Sequence, residues 1–130
     1  MAIYVNTAYA PELLICRLTD WPSSEEQDRL RGRLIADGFL MSHTSALVDL
    51  RNAKELPVDD ASLVAGLSPR RNGPHRIAIV VETREQAAFV TALHAVATAP
   101  ACIAAFLSER EALKWLFPEV GDAFPLSLLS

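Results

Sequence analysis

SALVDLRNAKELPVDDASLVAGL, residues 45–67, carries a hydrophobic run into Asp49 and Arg51, turns at Pro57, and enters a helix through Asp59 and Asp60. Side chains alternate along a strand, so Leu47, Asp49 and Arg51 fall on one face. A strand end that feeds a helix start is where α/β domains usually place working residues. The stretch therefore predicts a strand, a short turn and a helix. Its polar residues Asp49, Arg51, Asp59 and Asp60 form the candidate working corner of the chain.

Outward from this stretch the helix signals are clear. Ser23 precedes Glu26 by three positions, Thr83 precedes Gln86, and Ser108 precedes Glu111. Each pair is a capping box, in which the hydroxyl takes an amide of the first turn and the longer polar side chain reaches back to the cap's own amide. The first box opens an apolar spacing through Leu30 and Leu34 that stops near Gly38, a residue able to take the left-handed conformation that ends a helix. The second carries Phe89, Leu93 and Val96 and stops before Pro100. The third is short, with Ala112, Trp115 and Leu116, and stops before Pro118.

Between these helices lie strand-like runs. AIYV and LLICRL, parted by a segment holding Pro11, read as an antiparallel pair. ALVDL follows the first helix. RIAIVVE is apolar on both faces and reads as a strand covered on both sides. CIAAFL is alanine-rich, but Pro100 before it and Ser108 after it leave room only for a strand. The order β-β-α-β-α-β-α-β-α implies mostly parallel pairing with one antiparallel edge, an α/β (α+β) mixed sheet of four to five strands. One domain is expected over residues 1–117. Residues 118–130 form an apolar tail whose Val120, Phe124, Leu126, Leu128 and Leu129 either fold back over the domain or dock on a second copy as a homodimer contact.

Composition excludes several functions. With 51% hydrophobic and 22% charged residues in 130, the chain has the balance of a folded globular protein. The formal charge of −4 argues against a nucleic-acid partner, which requires a basic field over phosphates. The local exception, Arg70, Arg71, His75 and Arg76, reads as a solvated loop, with anion binding as the alternative. The longest uncharged stretch, residues 86–108, is cut by Pro100 and reads as a helix and a strand rather than an integral membrane segment. The first residues lack a basic region followed by an apolar run, so a cytoplasmic location is expected.

The chemistry-bearing residues are sparse. Cys16 and Cys102 sit in apolar runs and read as buried free thiols, and no CxxC spacing supports zinc or dithiol chemistry. His43, His75 and His94 lack the spacing of a helical metal site, so neither metal nor cofactor is expected. No nucleophile elbow or glycine-rich phosphate loop occurs. Asp59 and Asp60 are explained by favourable interaction with a helix's positive end. Asp49 either pairs with Arg51 or takes amides from adjoining loops.

These elements together resemble a known family. LVDLRNA leading to VDDASLVAGL, then RIAIVVE, an alanine-rich helix, and a strand before SEREALKWL, resemble the STAS domains. They are more closely similar to the small SpoIIAA-like bacterial proteins, whose closing helix ends in A-L-x-W-L as at residues 112–116. The resemblance spans residues 3–116. It implies a mixed sheet with helices packed on it, and a regulatory module that binds a protein partner rather than an enzyme. In the anti-sigma-factor antagonists of that family an Asp-Ser-Ser/Thr-Gly motif opens the corresponding helix and is phosphorylated. Here the motif falls on Asp59, Asp60, Ala61 and Ser62, so neither hydroxyl position keeps a phosphoacceptor and the corner is acidic without modification. The SpoIIAA-like chains are also likened to the CRAL-TRIO lipid-transfer fold, which makes a carrier of small hydrophobic ligands or lipids the alternative, with the apolar helix at 87–96 and the tail as its walls.

Overall fold

The computed structural model describes residues 3–10, 12–41, 44–53, 56, 76–96 and 103–118, with residues 24 and 94–96 described in their backbone alone. The predicted helix at 59–67 and the tail at 119–130 lie outside the described residues, as do His43, His75 and Cys102. Within them the order is β1 (Ile3–Asn6), β2 (Leu13–Leu18), α1 (Ser24–Ala36), β3 (Ser45–Asp49), β4 (Ile77–Val80), α2 (Arg84–Val96), β5 (Ile103–Phe106) and α3 (Glu109–Leu116).

The five strands form one mixed sheet in sequential order, β1-β2-β3-β4-β5. The β1–β2 pair is antiparallel, with Ile3 opposite Leu18, and the other pairs are parallel. Parallel crossovers are right-handed, so strands that step in one direction across a sheet place their crossover helices on one face. Accordingly Leu14 packs with Leu30 and Leu34 of α1, while Ile79 and Ile103 pack with Phe89, Val90 and Leu93 of α2. The opposite set, Leu13, Ile15, Leu47, Ala78 and Val80, packs under Ala112, Leu113 and Leu116 of α3. The alternation within β2 thus divides Leu13 and Leu14 between two cores.

All three hydroxyl caps are present, and the reciprocal bond to the cap's own amide is made at Thr83, whose amide donates to Gln86 Oε1. The amides of Glu26, Gln86 and Glu111 donate to the hydroxyls of Ser23, Thr83 and Ser108 at 3.2, 3.1 and 3.2 Å. Helix α1 ends where its glycine predicted: Gly38 has φ +76°, its amide donates to Ile35, and the Phe39 amide donates to Leu34 at 2.9 Å. That pair of bonds is a Schellman closure, and Phe39 and Leu34 make the apolar contact that goes with it.

Candidate functional site

Strand β3 delivers Asp49 to its C-terminal end, on the α3 face of the sheet, where it is 2% exposed. The sequence left two partners open for this carboxylate, and it takes both. Its Oδ1 accepts from the Arg51 amide at 2.9 Å and from Arg51 Nε at 3.0 Å, and its Oδ2 accepts from Nη2 at 3.2 Å. The amide contact is an Asx turn that bends the chain out of the strand; the guanidinium contact is a fork-on-fork ion pair. The hydrogen bonds to Asp49 raise the Arg51 pKa; burial opposes them, and the charges of Asp49, Glu109 and Glu82 add to the rise. The one buried charged group among the described residues is therefore committed to shaping a turn.

Gln86 organises the same corner. The sequence identifies it as the long arm of a capping box, and its Oε1 does accept from the Thr83 amide at 3.2 Å and the Glu82 amide at 2.7 Å. Its Nε2 does something the spacing does not reveal. It donates to the carbonyls of Leu50 at 2.7 Å, Arg51 at 3.2 Å and Ala53 at 3.4 Å. One buried amide side chain thus ties the start of α2 to the turn leaving β3.

Arg76 departs from the solvated-loop expectation. Its Nη1 donates to the Trp115 carbonyl at 2.8 Å and its guanidinium lies 5.0 Å from the Trp115 ring. A cation there satisfies a carbonyl of the last turn of α3 and favours the negative end of the helix dipole. Arg70, Arg71 and His75 lie outside the described residues, as do Asp59, Asp60 and Ser62 of the predicted corner. The side chain of His94 is likewise not described.

Among the described residues a concavity lies on the other face of the sheet. A cavity of about 190 Å³ lies over the sheet beside α1 and α2. Strand β3 lines it with Ala46 and Val48, the alternate positions to Leu47 and Asp49, so Asp49 has no part in it. Cys16, Ile77 and Ile79 form more of the floor, Leu30 and Leu34 come from α1, and Leu93 is the contribution of α2 among the described residues. The floor explains an asymmetry between the faces. Cys16, Val48 and Ile77 are only half-buried, whereas Leu47, Ala78 and Val80 beneath α3 are wholly buried. Burial pushes the Cys16 thiol up to about 12, so it borders the cavity as a neutral, inert group. Trp21 stands at the cavity edge, its ring meeting Phe89 edge-on at 4.9 Å. Its Nε1 is sealed and has no hydrogen-bond partner, so it offers no donor to the cavity.

Comparison of the sequence with protein-family models and with curated proteins finds no match. A solved structure similar to the chain is that of an uncharacterised protein of the DUF3478 family, with a SpoIIAA-like fold, from Shewanella loihica PV-4. The TM-score is 0.59 at 18% identity, over 88% of this chain and 93% of that one. The fold is SpoIIAA-like, as the sequence resemblance implied. Among the described residues no helix is long and apolar enough to cross a membrane.

Proposed function

We propose that this domain is a non-catalytic binding module that takes a small apolar ligand in the cavity beside α1 and α2. The carrying observation is the cavity itself: about 190 Å³, with aliphatic side chains for most of the wall that the described residues form. An apolar cavity of ~150 Å³ stays dry and holds benzene, so this one has room for a ligand of roughly seven or eight non-hydrogen atoms by the same scale. That size narrows the carrier reading from long-chain lipids to short compounds. The commitment of Asp49 to Arg51 supports binding over catalysis, because the carboxylate's lone pairs already hold the turn.

The test is calorimetric titration of 1-heptanol into the wild-type protein and Ala46→Leu, whose added carbons occupy the cavity floor. Saturable binding in the wild type and its loss in a normally folded Ala46→Leu are expected. Unchanged binding in the variant would place the ligand elsewhere.

A second reading, recognition of a protein partner at the strand-end corner, is favoured by Leu107, which is 77% exposed beside the start of α3. This reading takes Asp59, Asp60 and Ser62 as the recognition residues of a permanently acidic rim, with the Asp49–Arg51 ion pair shaping the turn that leads to them. Intact mass after incubation with ATP and a co-encoded kinase is expected to stay unchanged, and a single phosphate on Ser62 would turn the corner into a switch.

A further inference from the structure

We infer that β1 is a self-association edge, where a second copy of this chain adds its own β1 antiparallel about a two-fold axis at Val5. Among the described residues β1 pairs with β2 alone, so its outer row of amides and carbonyls forms one edge of the sheet. Sheet edges are ordinarily guarded by charge, proline or a bulge. β1 reads IYVN in unbroken register with β2, and the first charged residue of the chain is Glu12. The opposite edge, β5, has both α2 and α3 packed against it. By contrast β1 has α1 above one face, and on the other face Tyr4 is 69% exposed.

Charge and geometry single out a second copy as the strand that fits. Opposed residues of paired strands share a face, so an axis on Val5 sets Val5 against its own copy and Tyr4 against Asn6. Val5 and Leu30, the middle residue of α1, pack on the same cluster as Leu14 of β2, which puts α1 above the β1–β2 pair. Strands lie ~4.8 Å apart, so the axis falls about 2.4 Å outside β1 and brings the two α1 helices to about 10 Å. Helices pack at roughly 8–10 Å, and this axis runs the pair antiparallel. Gln27 and Arg31 of α1 line the cavity. At about 100° per residue, Glu26 and Arg33 therefore lie on the other side of the helix, towards the β1 edge. Both are exposed, one in the acidic first turn and one in the last, and Arg33 makes no ion pair with any described residue. They stand on either side of the middle of α1, so the axis brings Glu26 of each copy to Arg33 of the other.

Analytical ultracentrifugation over a concentration series reads the association. Wild type is expected to pass from one chain to two and no further, as a closed two-fold contact requires. Tyr4→Lys, at an exposed position, should keep its circular dichroism spectrum while weakening the dimer about tenfold, because it sets like charges along the seam. Arg33→Glu and Glu26→Lys each turn two attractions into two repulsions, and each should raise the dimer dissociation constant about tenfold at low salt. Mixed in equal amounts, these two variants should regain wild-type association, since each carries the charge that the other needs. Should Glu26→Lys unfold α1 by losing its bond to Ser23, Arg33→Glu and Tyr4→Lys still decide the matter. A monomeric wild type, growth beyond two chains, association indifferent to Tyr4→Lys or Arg33→Glu, or a folded mixture no tighter than its parts would each overturn the inference.

Discussion

Replacing Gln86 with glutamate separates two roles that the wild-type side chain performs at once. Glutamate is as good as glutamine at the third position of a capping box, and near a helix start its charge adds stability of about 0.3–1 kcal/mol. If Gln86 only capped α2, Gln86→Glu would be neutral or slightly stabilising. The structure dictates the opposite result. Gln86 is 4% exposed, and its Nε2 points at the carbonyls of Leu50, Arg51 and Ala53. A carboxylate has no donor for them and sets its own negative oxygen against theirs. The Leu50 carbonyl keeps the Ala53 amide at 2.9 Å, so the damage falls short of complete loss. Buried groups left without partners cost ~1–3 kcal/mol each, which gives a net loss of about 3 kcal/mol, a large part of the ~5–15 kcal/mol that holds a domain folded. Urea denaturation followed by far-ultraviolet circular dichroism reads this directly, as a midpoint lower by about 2 M if the slope is ~1.5 kcal/mol/M. Burial and the facing carbonyls raise the introduced carboxyl's pKa in the folded state above its unfolded value. The variant's deficit is then full at pH 7 and shrinks as pH falls through the folded pKa, because the protonated carboxyl regains one donor. A variant within about 0.5 kcal/mol of wild type at pH 7 would refute the clamp and leave Gln86 as a cap alone.

The same geometry dictates two further outcomes. Arg51→Ala leaves the buried Asp49 carboxylate with the Arg51 amide as its remaining partner from this pair, and is expected to cost about 2–4 kcal/mol. Asp49→Asn combined with Arg51→Met should recover part of that loss, and a double-mutant cycle showing coupling below about 0.5 kcal/mol would remove the pair from the turn's stability. The Cys16 thiol, raised to about 12 in the folded protein, should ignore soluble thiol reagents at pH 8 until denaturant is added. Because the unfolded thiol ionises first, stability should fall as pH rises from the unfolded pKa of ~8.5 towards 12, by up to about 1.4 kcal/mol per pH unit. Cys16→Val should remove that share of the slope, and an unchanged slope in the variant would show that the thiol does not titrate as its burial requires.

The sequence alone determined the helix ends, whose partners lie within a few residues of each other. Ser23, Thr83 and Ser108 cap their helices because a hydroxyl reaches an amide three residues on whatever the rest of the chain does. Gly38 ends α1 because its missing Cβ permits φ +76°. The strands were legible as apolar runs between such punctuation, and their order with the helices implied the mixed sheet. What only the tertiary structure decided are the contacts that cross the sheet or bridge distant loops. Gln86 reaches carbonyls 33 to 36 positions away, and Arg76 reaches the Trp115 carbonyl 39 positions away. No local spacing encodes either. The cavity was hidden for a related reason. Val48 and Ile77 have the same composition as strand residues pressed flat beneath a helix, and whether they are covered depends on how far apart α1 and α2 settle. Residue type sets what a strand face prefers to bury against; the spacing of the elements above it sets whether that face is filled or left open for a ligand.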